Sequence, residues 1–194
     1  GSCFKKDILN LVYLCNYFGL NDVAEYWENV VKINSWQKKR IYNLIVDKLF
    51  GNLADKSIAI LGFAFKANTN DTRESPAIDI CNDLMSEGAN LKIHDYKVSL
   101  ENIEKILGAS SLVESDEATN FKQKWSFHEN IYDATKDVDA IIIITEWEGY
   151  RNLDWEETAN NTRQPSWVFD TRLLLNPKIM KELKTNFWQI GLGN

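Results

Sequence analysis

The first seven residues read GSCFKKD and bring a thiol, two ammonium groups and a carboxylate together at Cys3, Lys5, Lys6 and Asp7. The apolar run ILNLVYLCNYF follows at once and predicts a helix over residues 8–18, buried on most sides, with the cluster at its start. A helix amino terminus and neighbouring lysines both favour the thiolate form of a cysteine. Asp7, four residues on, shares a helical face with Cys3. A thiol nucleophile beside a carboxylate suits covalent catalysis on a carbonyl, with the carboxylate positioning water. The chain near Cys3 holds no histidine to act as base, which argues against a cysteine protease. The competing role for Cys3 is a buried structural thiol, the commonest fate of a free cysteine.

A second group of chemically capable residues follows the first apolar strand, in LGFAFKANTNDTRESPA. Ligands of parallel sheets sit beyond the carboxyl ends of the strands. Phe65, Lys66, Asp71 and Arg73 fall at that place, just ahead of a helix start marked by Ser75-Pro76. Lysine and arginine beside a helix amino terminus make a phosphate site. Only Gly62 occupies the turn, so the G-x-G-x-x-G dinucleotide fingerprint is absent. Asn68, Thr69 and Asn70 read as solvated loop. A third cation, Arg172, follows the strand in FDTRLLL, and Asp95 ends another strand where a ribose-binding acid would stand.

The elements that must hold these groups are legible from periodicity. Gly19 closes the first helix, and Asn21 and Asp22 are suitable caps for the next. Apolar residues from Val23 to Leu49 recur at helical spacing, which predicts a helix of ~40 Å with the polar stretch NSWQKKR at its middle. Such a helix links domains or forms a dimer face. After Gly51, the runs KSIAIL, NLKIHDY, DAIIIITEW, PSWVFDTR and FWQIGLGN predict strands, and AIDICNDLMSEGA, 99–107 and PKIMKELKTN predict helices. Residues 108–124 read as an irregular insertion. Apolar strands alternating with helices predict an α/β fold: a Rossmann-like parallel sheet with helices on both faces, preceded by a long helical connector. The expected division is 1–50 for the cysteine segment and connector, and 51–194 for the sheet domain.

Composition narrows the function classes. With 44% hydrophobic and 26% charged residues the 194-residue chain is globular in kind, and its net charge of −6 disfavours a nucleic-acid partner. Three cysteines without a C-x-x-C pair, and two isolated histidines, predict neither disulfide framework nor metal site and fit a reducing cytosol. No apolar run approaches the ~20 residues of a membrane span.

The segments GSCFKKD, INSWQKKR, ILGFAFKANTNDTRESPAIDI, TEWEGYRNLDW and FDTRLLL, in this order, resemble the UDP-glucose/GDP-mannose dehydrogenase family over residues 1 to about 175. The resemblance implies the carboxyl-terminal half of a cytoplasmic, NAD-dependent enzyme that oxidises UDP-glucose twice to UDP-glucuronate through a cysteine thiohemiacetal and thioester. It implies that Cys3 is the nucleophile and that Asp7 helps to activate water. Gly1, Phe65, Lys66 and Arg172 are implied to contact the nucleotide-sugar, and Lys6 and Arg73 to face NAD, which the amino-terminal half mainly binds. A homodimer through the central helix, or a higher oligomer, is implied too, and this half alone is expected to be inactive. UDP-N-acetylmannosamine or GDP-mannose are the alternative substrates within the family. Outside it, the alternative is a non-catalytic nucleotide-binding or dimerisation module.

Overall fold

Two helices precede the sheet. The computed structural model describes residues 2–109 and 124–192, and of Ser2 the backbone alone; Gly1 and most of the 108–124 stretch lie outside the described residues. Helix α1 (Ser2–Tyr17) ends in a left-handed turn at Gly19, φ +74°. The Leu20 and Gly19 amides there bond back to the Cys15 and Asn16 carbonyls. Helix α2 (Asn21–Lys48) starts directly from that turn. Its cap position is therefore Leu20, with no side-chain cap bond, and Asn21 and Asp22 lie inside the helix instead of capping it. The 28-residue helix matches the expected connector.

The expectation that the first helix is buried on most sides is overturned. Helix α1 packs chiefly against α2, and only Ile8 and Cys15 of its described side chains are buried. Phe4, Tyr13 and Tyr17 stand exposed. One helical neighbour covers one stripe of a helix, whatever the apolar content of the remainder.

Among the described residues, six parallel strands form one sheet: β1 (Ser57–Leu61), β2 (Asn90–His94), β3 (Trp125–Phe127), β4 (Ala140–Ile143), β5 (Trp167–Asp170) and β6 (Asn186–Gln189), in the order β3-β2-β1-β4-β5-β6. Strands β1 and β4 are wholly buried, as their unbroken apolar runs require when helices cover both faces. Helices α3 (Pro76–Ser86), α4 (Leu100–Leu107), α5 (Ile131–Thr135), α6 (Glu148–Arg151), α7 (Trp155–Asn160) and α8 (Pro177–Met180) fill the connections. The Ser75 side chain caps α3 by accepting from the Ala77 amide at 3.3 Å. Ile41 and Ile45 of α2, with Leu49 just past its end, enter the same core as the sheet, so the connector is seated on this domain.

Three differences from the sequence expectation have local causes. The helix expected over PKIMKELKTN stops at Met180, and the chain then turns so that the Asn186 amide can reach the Ser166 carbonyl and start β6. The edge strand β3 is three residues long, too short for a periodic signal. Helices α5, α6 and α7 are four to six residues long and escape detection for the same reason.

Candidate functional site

The sheet order reverses between β1 and β4, and the crevice of such a sheet opens there, beyond the strand ends. At that point β1 passes into Gly62, φ +96°, whose missing side chain is required: a Cβ would lie 2.3 Å from the Thr145 Cβ. The Gly62 turn is thus filled by Thr145 and leaves no cradle for a pyrophosphate.

Asp95, at the end of β2, is buried, and its carboxylate is saturated. One oxygen accepts from the Phe63 and Ala64 amides at 2.7 and 3.0 Å and from the Trp147 indole at 3.2 Å. The other accepts from the Lys97 and Val98 amides at 2.8 and 3.0 Å. A carboxylate offers about four acceptor positions. With five donors already placed, Asp95 has no capacity for a ribose, and its apparent match to a ribose-binding acid is overturned. It organises the loop after β1 instead. The TEW segment braces the same loop from β4. The Thr145 hydroxyl donates to the Ala64 carbonyl, and Glu146 accepts from the Ala67 amide at 3.3 Å.

Asp170 plays the matching part at the end of β5. It is fully buried and accepts from the amides of Arg172, Leu174 and Leu175 and from the Gln189 side chain at 2.7–2.9 Å. This fixes the turn that carries Arg172. The Arg172 Nε donates to the Ile144 carbonyl and stands 3.5 Å from Glu146.

Between these two organised loops lies a cavity of about 270 Å³. Phe65, Ile144, Thr171 and Arg172 form its sheet side, Glu74 and Pro76 its rim at the start of α3, and Asn34, Gln37 and Lys38 of α2 close it. The structure thus brings Phe65 and Arg172, far apart in sequence, onto one cavity. Lys66 is exposed and outside the lining, its ammonium 5.4 Å from the Phe65 ring centre.

Arg73 turns outward onto Asp71, with two side-chain bonds at 2.9 and 2.7 Å. These bonds, with one from the Arg73 amide, hold the Asp71 carboxyl down to about 2. Asp71 in turn raises the Arg73 guanidinium, first by hydrogen bonding and then by its charge, and Cys3 adds a smaller contribution. Cys3, Lys6 and Asp7 are all exposed on the first turns of α1. Lys5, beside them, reaches Glu74 on the cavity rim at 2.8 Å. Gly1 lies outside the described residues.

Sequence reasoning missed Glu74, Thr171 and the α2 face as cavity walls. One signal was available for the last: Asn34, Gln37 and Lys38 continue, toward the amino terminus, the helical stripe that holds Ile41 and Ile45. Polar residues on an inward stripe mark a place where the helix faces something other than core. Among the described residues no group of three or more His, Cys, Asp or Glu side chains could hold a metal ion.

A doubly wound parallel sheet with its cavity at the switch point defines a Rossmann-type α/β domain. Residues 59–177 match the profile described as UDP-glucose/GDP-mannose dehydrogenase family, UDP binding domain, and the chain belongs to that family. It is 42% identical over 201 residues to UDP-glucose 6-dehydrogenase 2 of Arabidopsis thaliana, and 42% over 198 residues to UDP-glucose 6-dehydrogenase 1 of Glycine max. Each alignment covers 98% of this chain but 41% of the relative's length. A UDP-glucose dehydrogenase structure from Pyrobaculum islandicum superposes with TM-score 0.73 at 26% identity, over 97% of this chain and 37% of that one.

Proposed function

We propose that this chain is the nucleotide-sugar half of an NAD-dependent dehydrogenase that oxidises UDP-glucose to UDP-glucuronate. The observation that carries this reading is the cavity with Phe65 and Arg172 on its walls, to whose rim the helix bearing Cys3 is tied through Lys5 and Glu74. The similarity to UDP-glucose 6-dehydrogenases favours UDP-glucose over UDP-N-acetylmannosamine or GDP-mannose. In the proposed division, residues 1–50 are the catalytic segment and connector, and residues 51–194 bind the UDP-sugar.

In this reading Arg172 pairs with the diphosphate, Phe65 packs on the ligand, and Lys66 and Gly1 are proposed as further contacts to the nucleotide-sugar from outside the cavity lining. The Cys3 sulfur adds to the C6 aldehyde formed by the first oxidation, giving a thiohemiacetal. The second oxidation turns this adduct into a thioester. Water oriented by Asp7 attacks the thioester carbon, releasing the Cys3 thiol and the uronate. NAD, held elsewhere, would supply the hydride acceptor for the two oxidations. The residues of this domain do not fit NAD as a resident, because Gly62 is filled by Thr145 and Asp95 is saturated. The dinucleotide is therefore assigned to a part of the protein beyond this chain, with Lys6 and Arg73 contributing from the edge.

The exposed aromatic residues Tyr13, Tyr17, Tyr26 and Trp36 on the two-helix segment support a homodimer through the central helix. No helix among the described residues is long and apolar enough to cross a membrane. All three cysteines are free thiols, in keeping with the proposed reducing, cytoplasmic setting. Calorimetric titration with UDP and GDP tests the reading. UDP binding that weakens in Arg172→Ala supports it, and preference for GDP or no nucleotide binding refutes it. NADH formation from UDP-glucose by this chain alone would refute the assignment of NAD to another part.

A further inference from the structure

We propose that Lys38, on the connector helix, is a further diphosphate-binding residue of the cavity, held on Asp79 until a ligand arrives. This rests on reading the cavity as a nucleoside diphosphate site.

Lys38 lines the cavity together with Arg172 and Phe65, and its ammonium lies 2.7 Å from the Asp79 carboxylate in the first turn of α3. Its side chain is 18% exposed, whereas Asp79 is 55% exposed. The next residue, Lys39, makes the same kind of pair with Asp83 from a side chain 55% exposed. A lysine seeking only a carboxylate on α3 gains nothing from drawing its stem under cover, since half-solvated pairs are weak. The burial of Lys38 follows from its place on the inward stripe. Asn34, Gln37, Lys38 and Ile41 fall at helical intervals on one face, and all four border the cavity. Ile41 stands at the border of core and cavity, Ile45 lies in the core, and the cavity-facing positions Asn34, Gln37 and Lys38 are polar. Breaking an amphipathic pattern at a cavity is the expected mark of a polar ligand.

The charge balance points the same way. A diphosphate needs more than one cation, and Arg172 is already shared with Glu146 and the Ile144 carbonyl. Glu74, the one acid of the lining among the described residues, is matched by Lys5. Lys38 is the remaining cation of the lining, and its partner Asp79 lies outside it. Exchanging Asp79 for a phosphate oxygen needs a rotation of the lysine stem and no backbone movement, because an ammonium is a point charge without a fixed fork.

The test is titration of the full chain with UDP and with uridine at two salt concentrations. Wild type is compared with Lys38→Met, Lys39→Met, Asp79→Asn and Arg172→Ala. Lys38→Met is expected to weaken UDP at least fivefold and to flatten the salt dependence, with uridine affinity unchanged. Lys39→Met is expected to stay within twofold of wild type. Asp79→Asn, which frees the ammonium, is expected to bind UDP as well as wild type or a few-fold more tightly. If Asp79→Asn weakens UDP as Lys38→Met does, the pair serves only to hold α2 on α3 and the inference falls. UDP binding that depends on Arg172 but not on Lys38 overturns the inference and leaves the nucleotide reading intact. No UDP binding by wild type overturns both.

Discussion

The Lys5 ammonium lies 2.8 Å from the Glu74 carboxylate and ties the first turn of α1 to the rim of the cavity. The pair is more than a third exposed on both sides, so its worth as stability is small, below about 1 kcal/mol. Its effect is geometric, since it sets where Cys3 stands relative to the cavity. Lys5→Met is expected to leave the melting temperature within a few degrees. Amide hydrogen exchange over the first two turns of α1 is expected to rise several-fold. Unchanged exchange there would show that α2 packing alone positions α1.

Asp95 should behave as a structural acid. Asp95→Ala strands the Phe63 and Ala64 amides at the buried end of β1, together with the Trp147 indole. Unsatisfied buried donors cost roughly 1–3 kcal/mol each, and water entering the gap recovers part of that. The expected loss is at least ~3 kcal/mol in urea unfolding, with the slope of the transition unchanged. A loss below ~1 kcal/mol would show that the loop after β1 holds its shape without Asp95.

Acid stability should carry a histidine signature. His94 is buried, its Nδ1 2.9 Å from the Tyr150 hydroxyl, and burial pushes its pKa below the ordinary value of 6.5. Burial lowers His128 as well. A histidine with a lowered folded pKa binds fewer protons than its unfolded counterpart. Stability is therefore full above the unfolded value and falls as pH drops from about 6.5 toward the folded value. Unfolding measured between pH 7.5 and 5 should show this fall, and His94→Gln should reduce its slope. An identical slope in the variant would assign the proton uptake elsewhere.

The three thiols should separate kinetically. Cys81 is fully buried, and burial pushes its thiol up, beyond the range in which a thiolate forms at neutral pH. Cys15 is also buried, while Cys3 is exposed. Alkylation of the native chain at pH 7.5, followed by mass spectrometry, should modify Cys3 at least tenfold faster than the other two. Added UDP should slow that reaction if the cavity and Cys3 form one site. Labelling of Cys15 at a comparable rate would mean that α1 and α2 separate readily.

The features legible in the sequence were local. The unbroken apolar runs of β1 and β4, the Ser75-Pro76 start of α3 and the Gly19 stop of α1 each rest on side-chain chemistry within a few residues, and each is present in the structure. The chemically capable residues were legible too, because cysteine, lysine and arginine beside strand ends and helix starts are few. Which of these groups meet depends on the fold. Arg172 and Phe65 share a cavity across more than a hundred residues of chain, Lys38 joins them from the connector, and Lys66 and Arg73 face outward. Asp95 changed from a ligand candidate to a loop organiser, because its donors come from Phe63, Ala64 and Trp147, on strand ends that only the folded sheet makes neighbours. Helix α1 exposes most of its apolar face for the same kind of reason. Periodicity reports how apolar a helix is, but burial depends on how many partners the fold supplies, and α1 is given chiefly α2.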